Sequence, residues 1–284
     1  MHSDDATPHI ERVERLMLEL VLQVGGEAGE AAAYHLSAGG SRVRALMALE
    51  AARTLVRPDR EAIAIAAACE LLHNASLVHD DLQDRDVSRR GQDAVWRRYG
   101  DAAAVCVGDL LLSAAYAALA TTGASAAVLI ARMHRRVSEV IRGQCEDLAL
   151  QGSAPVSLTI YEAVARAKSG PLLVLPMELA LVLAGHEDSI ATAVEAGSLF
   201  AIGYQIADDL DDAQRDAINE ELNIVAVLAA LGESKPRASA RNLAIRRFRQ
   251  AHGAANALPA GCGALLAAQA LRRADALSAA LEKA

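Results

Sequence analysis

The chain has 284 residues, enough for one large domain or two ordinary ones; 53% are hydrophobic, only 3% aromatic, and the apolar mass is alanine and leucine. Both residues are strong helix formers and alternating Val/Ile/Thr/Tyr runs are scarce, so the expectation is an all-α fold forming a single domain over residues 1–284. A formal net charge of −8 argues against general nucleic-acid binding, though not against an anionic substrate held through metal ions.

The N-terminus, MHSDDATPHIERVER, is polar and acidic, unlike a signal peptide. A first helix is predicted after Pro8, running toward Val24 with apolar positions at Ile10, Val13, Leu16, Met17 and Leu20, and ended by Gly25-Gly26. A loop is expected next, leading to Ser37–Arg44, SAGGSRVR. Its glycines allow a turn or a close approach to a ligand, and Ser41 is the expected N-cap of the helix that follows. Arg42 and Arg44 then fall in the first turn, where cations oppose the helix dipole; surface solvation and a phosphate clamp would each explain them.

That second helix should stop before Pro58. A third, starting after Asp59, carries HNASLVHDDLQDRDVSRRG, His73 to Gly91. Asp80, Asp81 and Asp84 form a DDxxD pattern closing an apolar run. Asp80 and Asp84, four apart, share one helix face and repel each other unless a cation or basic partner intervenes. Arg85–Arg90 reads as a charged loop, in which Arg89 and Arg90 either neutralise the aspartates or hold a diphosphate. Trp96 and Tyr99 should anchor a short connecting helix.

Helices are predicted at about 101–121 and 124–150. The uncharged stretch Leu110–Ala131 is long enough to span a bilayer, but Thr121-Thr122-Gly123 interrupts it, so two buried helix ends joined by a turn, with no membrane span, is the expectation. Cys69, Cys106, Cys145 and Cys262 form no CxxC pair and sit in Ala/Leu-rich surroundings, as core thiols of a reducing cytoplasm would. The helix from Leu158 carries Lys168-Ser169-Gly170 and should kink near Lys168 because of Pro171 and Pro176. The next, about Ser189 to Ala213, ends in a second acidic motif, Asp208, Asp209 and Asp212, with Gln205 on the same face as Asp208. A helix at about Asn219–Leu231 and two Ala-rich helices close the chain.

Mg2+ takes hard oxygen ligands and bridges carboxylates to phosphates, so two such clusters suit a diphosphate whose departure the metal assists. Arg89 and Lys168 would complete the charge shell. Apolar helices beneath both motifs suit an allylic carbocation that water would quench. The stripe Ser76, Leu72, Ala68 under Asp80 offers an apolar channel. His73, two turns before Asp80 on the same face, would alone read as a core histidine.

The ordered set GGSRVR, HNASLVHDDLQD, RRG, VGDLLL, GQCEDL, KSG and YQIADDLDD, spanning about Ser37 to Asp212, resembles the trans-isoprenyl diphosphate synthases, the polyprenyl synthetases. The resemblance implies a helical bundle of the isoprenoid synthase type around a central active-site cavity, commonly a homodimer. It implies Mg2+-dependent head-to-tail condensation of isopentenyl diphosphate with an allylic diphosphate, without a protein nucleophile. Asp80, Asp84 and Asp208 then correspond to direct Mg2+ ligands, and Asp81, Asp209 and Asp212 to supporting members of the metal motifs. Arg89, Lys168, Ser169 and Gln205 correspond to allylic diphosphate contacts, and Arg44, His73 and Arg90 to isopentenyl diphosphate contacts. Asp80, Asp84, Lys168 and Asp208 form the expected catalytic set. Leu72, Ala75 and Ser76 occupy chain-length positions; the small Ala75 and Ser76 imply a product longer than farnesyl diphosphate, geranylgeranyl diphosphate first.

Two departures stand out. Ser41 replaces the family's lysine, so that either isopentenyl diphosphate binds more weakly or Arg42 compensates as an isopentenyl diphosphate contact, and no lysine lies between Asp212 and Ser234. They leave room for a terpene synthase that ionises a prenyl diphosphate without isopentenyl diphosphate, or for an inactive subunit of a hetero-oligomer.

Overall fold

The computed structural model describes residues 3–150, 157–219 and 222–279, with the side chains of 3–7 and 212–219 outside the description. Among the described residues are twelve α-helices, three short 3-10 turns and one two-stranded hairpin, so the all-α expectation holds. The helices gather into two compact units, residues 1–132 with 179–185, and 133–178 with 186–284.

In the first unit, α1 (Ser3–Leu22) begins ahead of Pro8 rather than after it. Near a helix start a proline costs few backbone bonds, which is why the helix extends through it. The loop expected after Gly25-Gly26 is instead α2 (Gly26–Ser37), which buries Ala31, Ala32, His35 and Leu36. Its alanines are good helix formers, and burial of that face outweighs the glycines that suggested a loop. α3 (Val43–Thr54) and α4 (Asp59–Gln83) follow. From Ala62 to Leu72 every residue of α4 is buried, so it is a central helix without a solvent face. It packs on α3 and on α6 (Asp101–Ala120), the hairpin β1 (Ser88–Arg89) and β2 (Gln92–Asp93) and the short α5 (Val95–Tyr99) lying between α4 and α6 in sequence.

α6 ends where the uncharged stretch was expected to turn. The Thr121 and Thr122 hydroxyls donate back to the carbonyls of Ala118 and Leu119, both at 2.7 Å. Among the described residues, three helical segments, 59–83, 101–120 and 187–211, are long and apolar enough to cross a membrane by length and composition alone.

The second unit holds most of α7 (Ala126–Leu150) and α8 (Leu158–Leu183), then α9 (Ile190–Asn219), α10 (Ile224–Ala230), α11 (Pro236–Asn256) and α12 (Ala264–Ala279). α8 runs as one helix through Pro171 and Pro176, uninterrupted at Lys168. Phe200 of α9 meets Phe248 of α11 edge to face, ring centroids 5.4 Å apart, a favoured aromatic geometry. The four cysteines divide: Cys69 and Cys262 are core thiols, whereas Cys106 and Cys145 are exposed, a correction to the expectation that all four are internal. These two lie on outward faces of α6 and α7, positions their Ala/Leu-rich neighbours did not reveal.

Candidate functional site

The first acidic motif closes α4. A helix turns 100° per residue, so Asp81 cannot share the face of Asp80 and Asp84. It points inward, 1% exposed, while Asp80 is half-buried and Asp84, the C-cap, is exposed. Asp81 is held by Arg89, whose Nε donates to Oδ1 at 2.8 Å and whose Nη2 donates to the same oxygen; Arg89 also reaches Asp86 at 3.3 Å. Arg89 stands on β1, so the segment read as a loop contains a strand. The hairpin turns through Arg90 and Gly91, both with positive φ as a tight two-residue turn requires. Trp96 Nε1 donates to the Asp86 carbonyl at 2.8 Å and fixes its base.

Arg90 leaves the turn in another direction and donates through Nη1 to the Gly39 carbonyl. Its guanidinium carbon lies 2.6 Å from where a Cβ on Gly40 would stand, and Gly40 has a φ of 132°. Only glycine satisfies both conditions.

Arg42 corrects a second expectation. It is buried in the left-handed region at φ 47°, with Nε donating to Glu14 Oε1 at 2.8 Å and Nη2 to the Leu36 carbonyl at 3.1 Å. It ties α1 and α2 to the start of α3 rather than replacing the absent lysine. Ser41 is exposed and is not the N-cap. The cap comes from α4: Glu70 Oε1 accepts from the backbone N–H groups of Arg44 at 3.1 Å and Ala45 at 3.0 Å. A buried carboxylate at a helix N-terminus satisfies orphan donors and complements the dipole, which explains how Arg44 is tolerated there.

Below Glu70, Asn74 Nδ2 donates to the Glu70 carbonyl at 2.8 Å and its Oδ1 lies 3.1 Å from His35 Nε2. Asn74 is thereby the acceptor, so His35 carries its proton on Nε2. Burial, then the charge of Arg90, lowers the His35 pKa to about 4. Burial, then Arg44 and Arg90, holds His73 well below its ordinary value; it is neutral, and its buried Nδ1 has no hydrogen-bond partner. Arg44 and Arg90 thus both lie within electrostatic reach of His73. Leu72 and Ala75 are buried in α4, and Ser76 Oγ folds back to the His73 carbonyl at 2.8 Å. The glycine of VGDLLL makes room for a motif residue: a Cβ on Gly108 would stand 2.0 Å from His79 Nε2.

In the second unit, Asp208 is exposed and Asp209 is 2% exposed, the same division as in the first motif. Asp209 accepts from three donors: Gln205 Nε2 on Oδ1 at 2.8 Å, and the Tyr161 hydroxyl at 2.8 Å and Ile224 N at 2.7 Å on Oδ2. Asp212 lies on helical backbone, but its side chain is outside the described residues. Lys168 Nζ donates to Asp147 Oδ2 at 2.8 Å. Gly143 permits that pairing, because a Cβ there would stand 2.5 Å from the Ala167 backbone and keep α7 from α8. Ser169 is half-buried next to Lys168.

Among the described residues no three Asp, Glu, His or Cys side chains gather into a ready-made metal cage. Mg2+ does not need one. It takes one or two carboxylates together with substrate phosphates and water, and the outward Asp80, Asp84 and Asp208 are donors of that kind. Asp209 has both carboxylate oxygens bonded by protein donors, whereas Asp81 is held by Arg89 through Oδ1 alone and its buried Oδ2 has no hydrogen-bond partner. Sequence reasoning missed Glu70, Tyr161 and Asn223; a lone carboxylate in the apolar run AAACELLH was the available signal for Glu70.

A family model described as polyprenyl synthetase matches residues 27–223. A geranylgeranyl pyrophosphate synthase of Geoglobus acetivorans is 33% identical over 206 residues, 71% of this chain and 64% of that protein. A (2E,6E)-farnesyl diphosphate synthase of Mycobacterium tuberculosis is 34% identical over 173 residues, 60% of this chain and 48% of that protein. The matches thus span about half to two thirds of these curated relatives. Among solved structures, geranylgeranyl pyrophosphate synthetase from G. acetivorans superposes with a TM-score of 0.83 at 24% identity, covering 95% of this chain and 98% of that one. A decaprenyl diphosphate synthase from Rhodobacter capsulatus gives 0.85 at 21%, covering 97% and 98%. These two likenesses establish the fold.

Proposed function

The chain belongs to the polyprenyl synthetase family, and from that premise we propose that it is a Mg2+-dependent trans-prenyltransferase joining isopentenyl diphosphate to an allylic prenyl diphosphate. One observation carries the reading: each acidic motif hides its middle aspartate in the protein and leaves its first aspartate directed outward. Asp80, Asp84 and Asp208 would hold Mg2+, which supplies charge neutralisation for a departing diphosphate. Arg89, Lys168, Ser169 and Gln205 bind the allylic diphosphate, Lys168 leaving Asp147 for the stronger anion. Arg44, His73 and Arg90 bind isopentenyl diphosphate; His73, being neutral, contributes a hydrogen bond rather than a charge. Apolar α4 excludes water from the allylic chain. The C–O bond ionises, the isopentenyl alkene attacks, and a proton passes to the released diphosphate, with no protein nucleophile. Small Ala75 and Ser76 above Leu72 favour geranylgeranyl diphosphate or a longer product.

The whole chain would act as one catalytic domain. A homodimer is supported by the exposed Val105 and the half-buried Leu112 and Tyr116 along one face of α6, and a cytoplasmic location by the exposed free thiols of Cys106 and Cys145. A second reading is favoured by the exposed Ser41 and the inward Arg42, which weaken the isopentenyl diphosphate clamp: a terpene synthase acting on the allylic substrate alone. Incubation with Mg2+ and geranyl or farnesyl diphosphate, with and without isopentenyl diphosphate, separates the two. Chain elongation that requires isopentenyl diphosphate is expected; hydrocarbon or alcohol released without it would establish the terpene synthase.

A further inference from the structure

Tyr161 contacts no group assigned above to substrate, yet it is 1% exposed and its hydroxyl is committed to the centre of the second acidic motif. Asp209 is a hub. Besides its three carboxylate bonds, its backbone carbonyl accepts from Asn223 Nδ2 at 2.9 Å. An ionised carboxylate only accepts hydrogen bonds, so each neighbour must turn a donor toward it. For the Tyr161 hydroxyl this fixes the proton, and burial together with the charge of Asp209 holds the phenol well above its ordinary pKa, keeping that proton in place. For Gln205 it fixes the amide. The two ends of a carboxamide are nearly alike in shape, and only a partner's chemistry decides which faces which way. Here Nε2 is turned to Asp209, so Oε1 and the second N–H are presented in one orientation.

We propose that Tyr161 is a positioning residue of the second acidic motif: by holding Asp209 Oδ2 it fixes the carboxylate that orients Gln205, and so sets how Gln205 and the adjacent Asp208 meet the allylic diphosphate. The identity of that anion rests on the prenyltransferase reading; the hub does not. Phenylalanine would fill the same buried volume, and a fully apolar cluster would be at least as stable as a buried ion with its donors. The hydroxyl is therefore explained by what it orients. The placement on α8 agrees, since Lys168 lies two turns beyond Tyr161 on the same helix face.

The test uses Tyr161→Phe beside Asn223→Ala, which removes the bond from the N-cap of α10 to the Asp209 carbonyl but leaves the Gln205–Asp209–Tyr161 chain and the Ile224 N–H bond intact. Inorganic pyrophosphate with Mg2+, titrated calorimetrically, serves as the probe, alongside separate KM values for the two substrates and thermal melting. For Tyr161→Phe the expected result is a rise of about five- to tenfold in the pyrophosphate Kd and the allylic KM, the effect of losing one oriented hydrogen bond. The isopentenyl KM stays near that of the unsubstituted protein, and the melting temperature falls by no more than the loss of one hydrogen bond explains, since Asp209 Oδ2 keeps the Ile224 N–H. Asn223→Ala lowers the melting temperature and leaves the pyrophosphate Kd in place. Unchanged pyrophosphate binding in Tyr161→Phe overturns the proposal. So does a parallel loss of stability and of both KM values, which marks a merely structural role. An equal rise in Kd for Asn223→Ala overturns the route through Gln205. If the unsubstituted protein elongates no allylic diphosphate, the prenyltransferase reading fails, while the pyrophosphate titration still decides the role of Tyr161.

Discussion

The two acidic motifs bury the same member and hold it by different means. Asp81 is gripped by a cation, Arg89, delivered by a hairpin that returns to the end of α4. Asp209 is gripped by neutral donors: a phenol, an amide and a backbone N–H. The first arrangement is open at one side, since Asp81 Oδ2 has no partner and Arg89 is half-buried and free to share its charge with an anion. Burial pushes the Asp81 carboxyl pKa up, and the Arg89 charge opposes it. The second arrangement is closed, with both carboxylate oxygens bonded. The contrast suggests that a repeated sequence pattern repeats an outward ligand geometry, while the support behind each copy is improvised from local elements.

The largest effect separates outward from inward members. Asp80→Ala and Asp208→Ala are each expected to reduce kcat/KM by about three orders of magnitude, as loss of a metal ligand opposite a leaving group would, with little change in melting temperature. Steady-state kinetics beside thermal melting checks this. Next comes the difference in support. Asp209→Ala strands two buried donors, the Tyr161 hydroxyl and Ile224 N–H, and the half-buried Gln205 amide, and should lower unfolding free energy by about 3 kcal/mol, whereas Asp81→Ala leaves Arg89 able to reach water and should cost about 1 kcal/mol. Urea melts of the two variants would erase the distinction if the costs came out equal.

His35, buried within reach of the Arg90 charge, gives a pH test. Burial, then the charge of Arg90, lowers the His35 pKa in the folded chain from its ordinary 6.5 to about 4. Between those values the unfolded chain binds more protons, so stability rises with pH, is complete above the unfolded value and is lost as pH falls toward the folded one. The expected loss between pH 7 and pH 4 is on the order of 3 kcal/mol for this group. His35→Gln, which keeps a donor toward Asn74, should flatten that dependence, and an unchanged slope would assign it elsewhere. Gly40→Ala should cost about 1–2 kcal/mol from the positive φ alone and raise the isopentenyl KM more than the allylic one, because the new Cβ displaces Arg90. The smallest effect on stability, but a visible one on product, is expected for Ser76→Phe: a shorter prenyl chain by product analysis, where an unchanged chain would move the channel floor elsewhere.

Much of this was legible in the sequence because it depends on period. The spacing of Asp80 and Asp84 on one face, the end of α4, and the turn at Thr121-Thr122 all follow from helix geometry and breaker residues. What was not legible depends on partners far along the chain. Glu70 replaces Ser41 as the cap of α3 from another helix, and Arg42 turns inward to meet Glu14 and Leu36. α2 was hidden by its glycines, since local propensity could not reveal the face it buries. The pairing of Lys168 with Asp147, brought to it by α7 across the notch at Gly143, had no local signal.

The division between outward ligands and inward supports is tested most directly by a Mg2+ titration of elongation activity in Asp208→Asn and Asp209→Asn, each paired with its melting temperature. The expected result is a raised Mg2+ requirement at unchanged melting temperature for Asp208→Asn, and a lowered melting temperature at a nearly unchanged Mg2+ requirement for Asp209→Asn. The reverse pattern, with Asp209→Asn shifting the Mg2+ dependence and leaving stability intact, would contradict it.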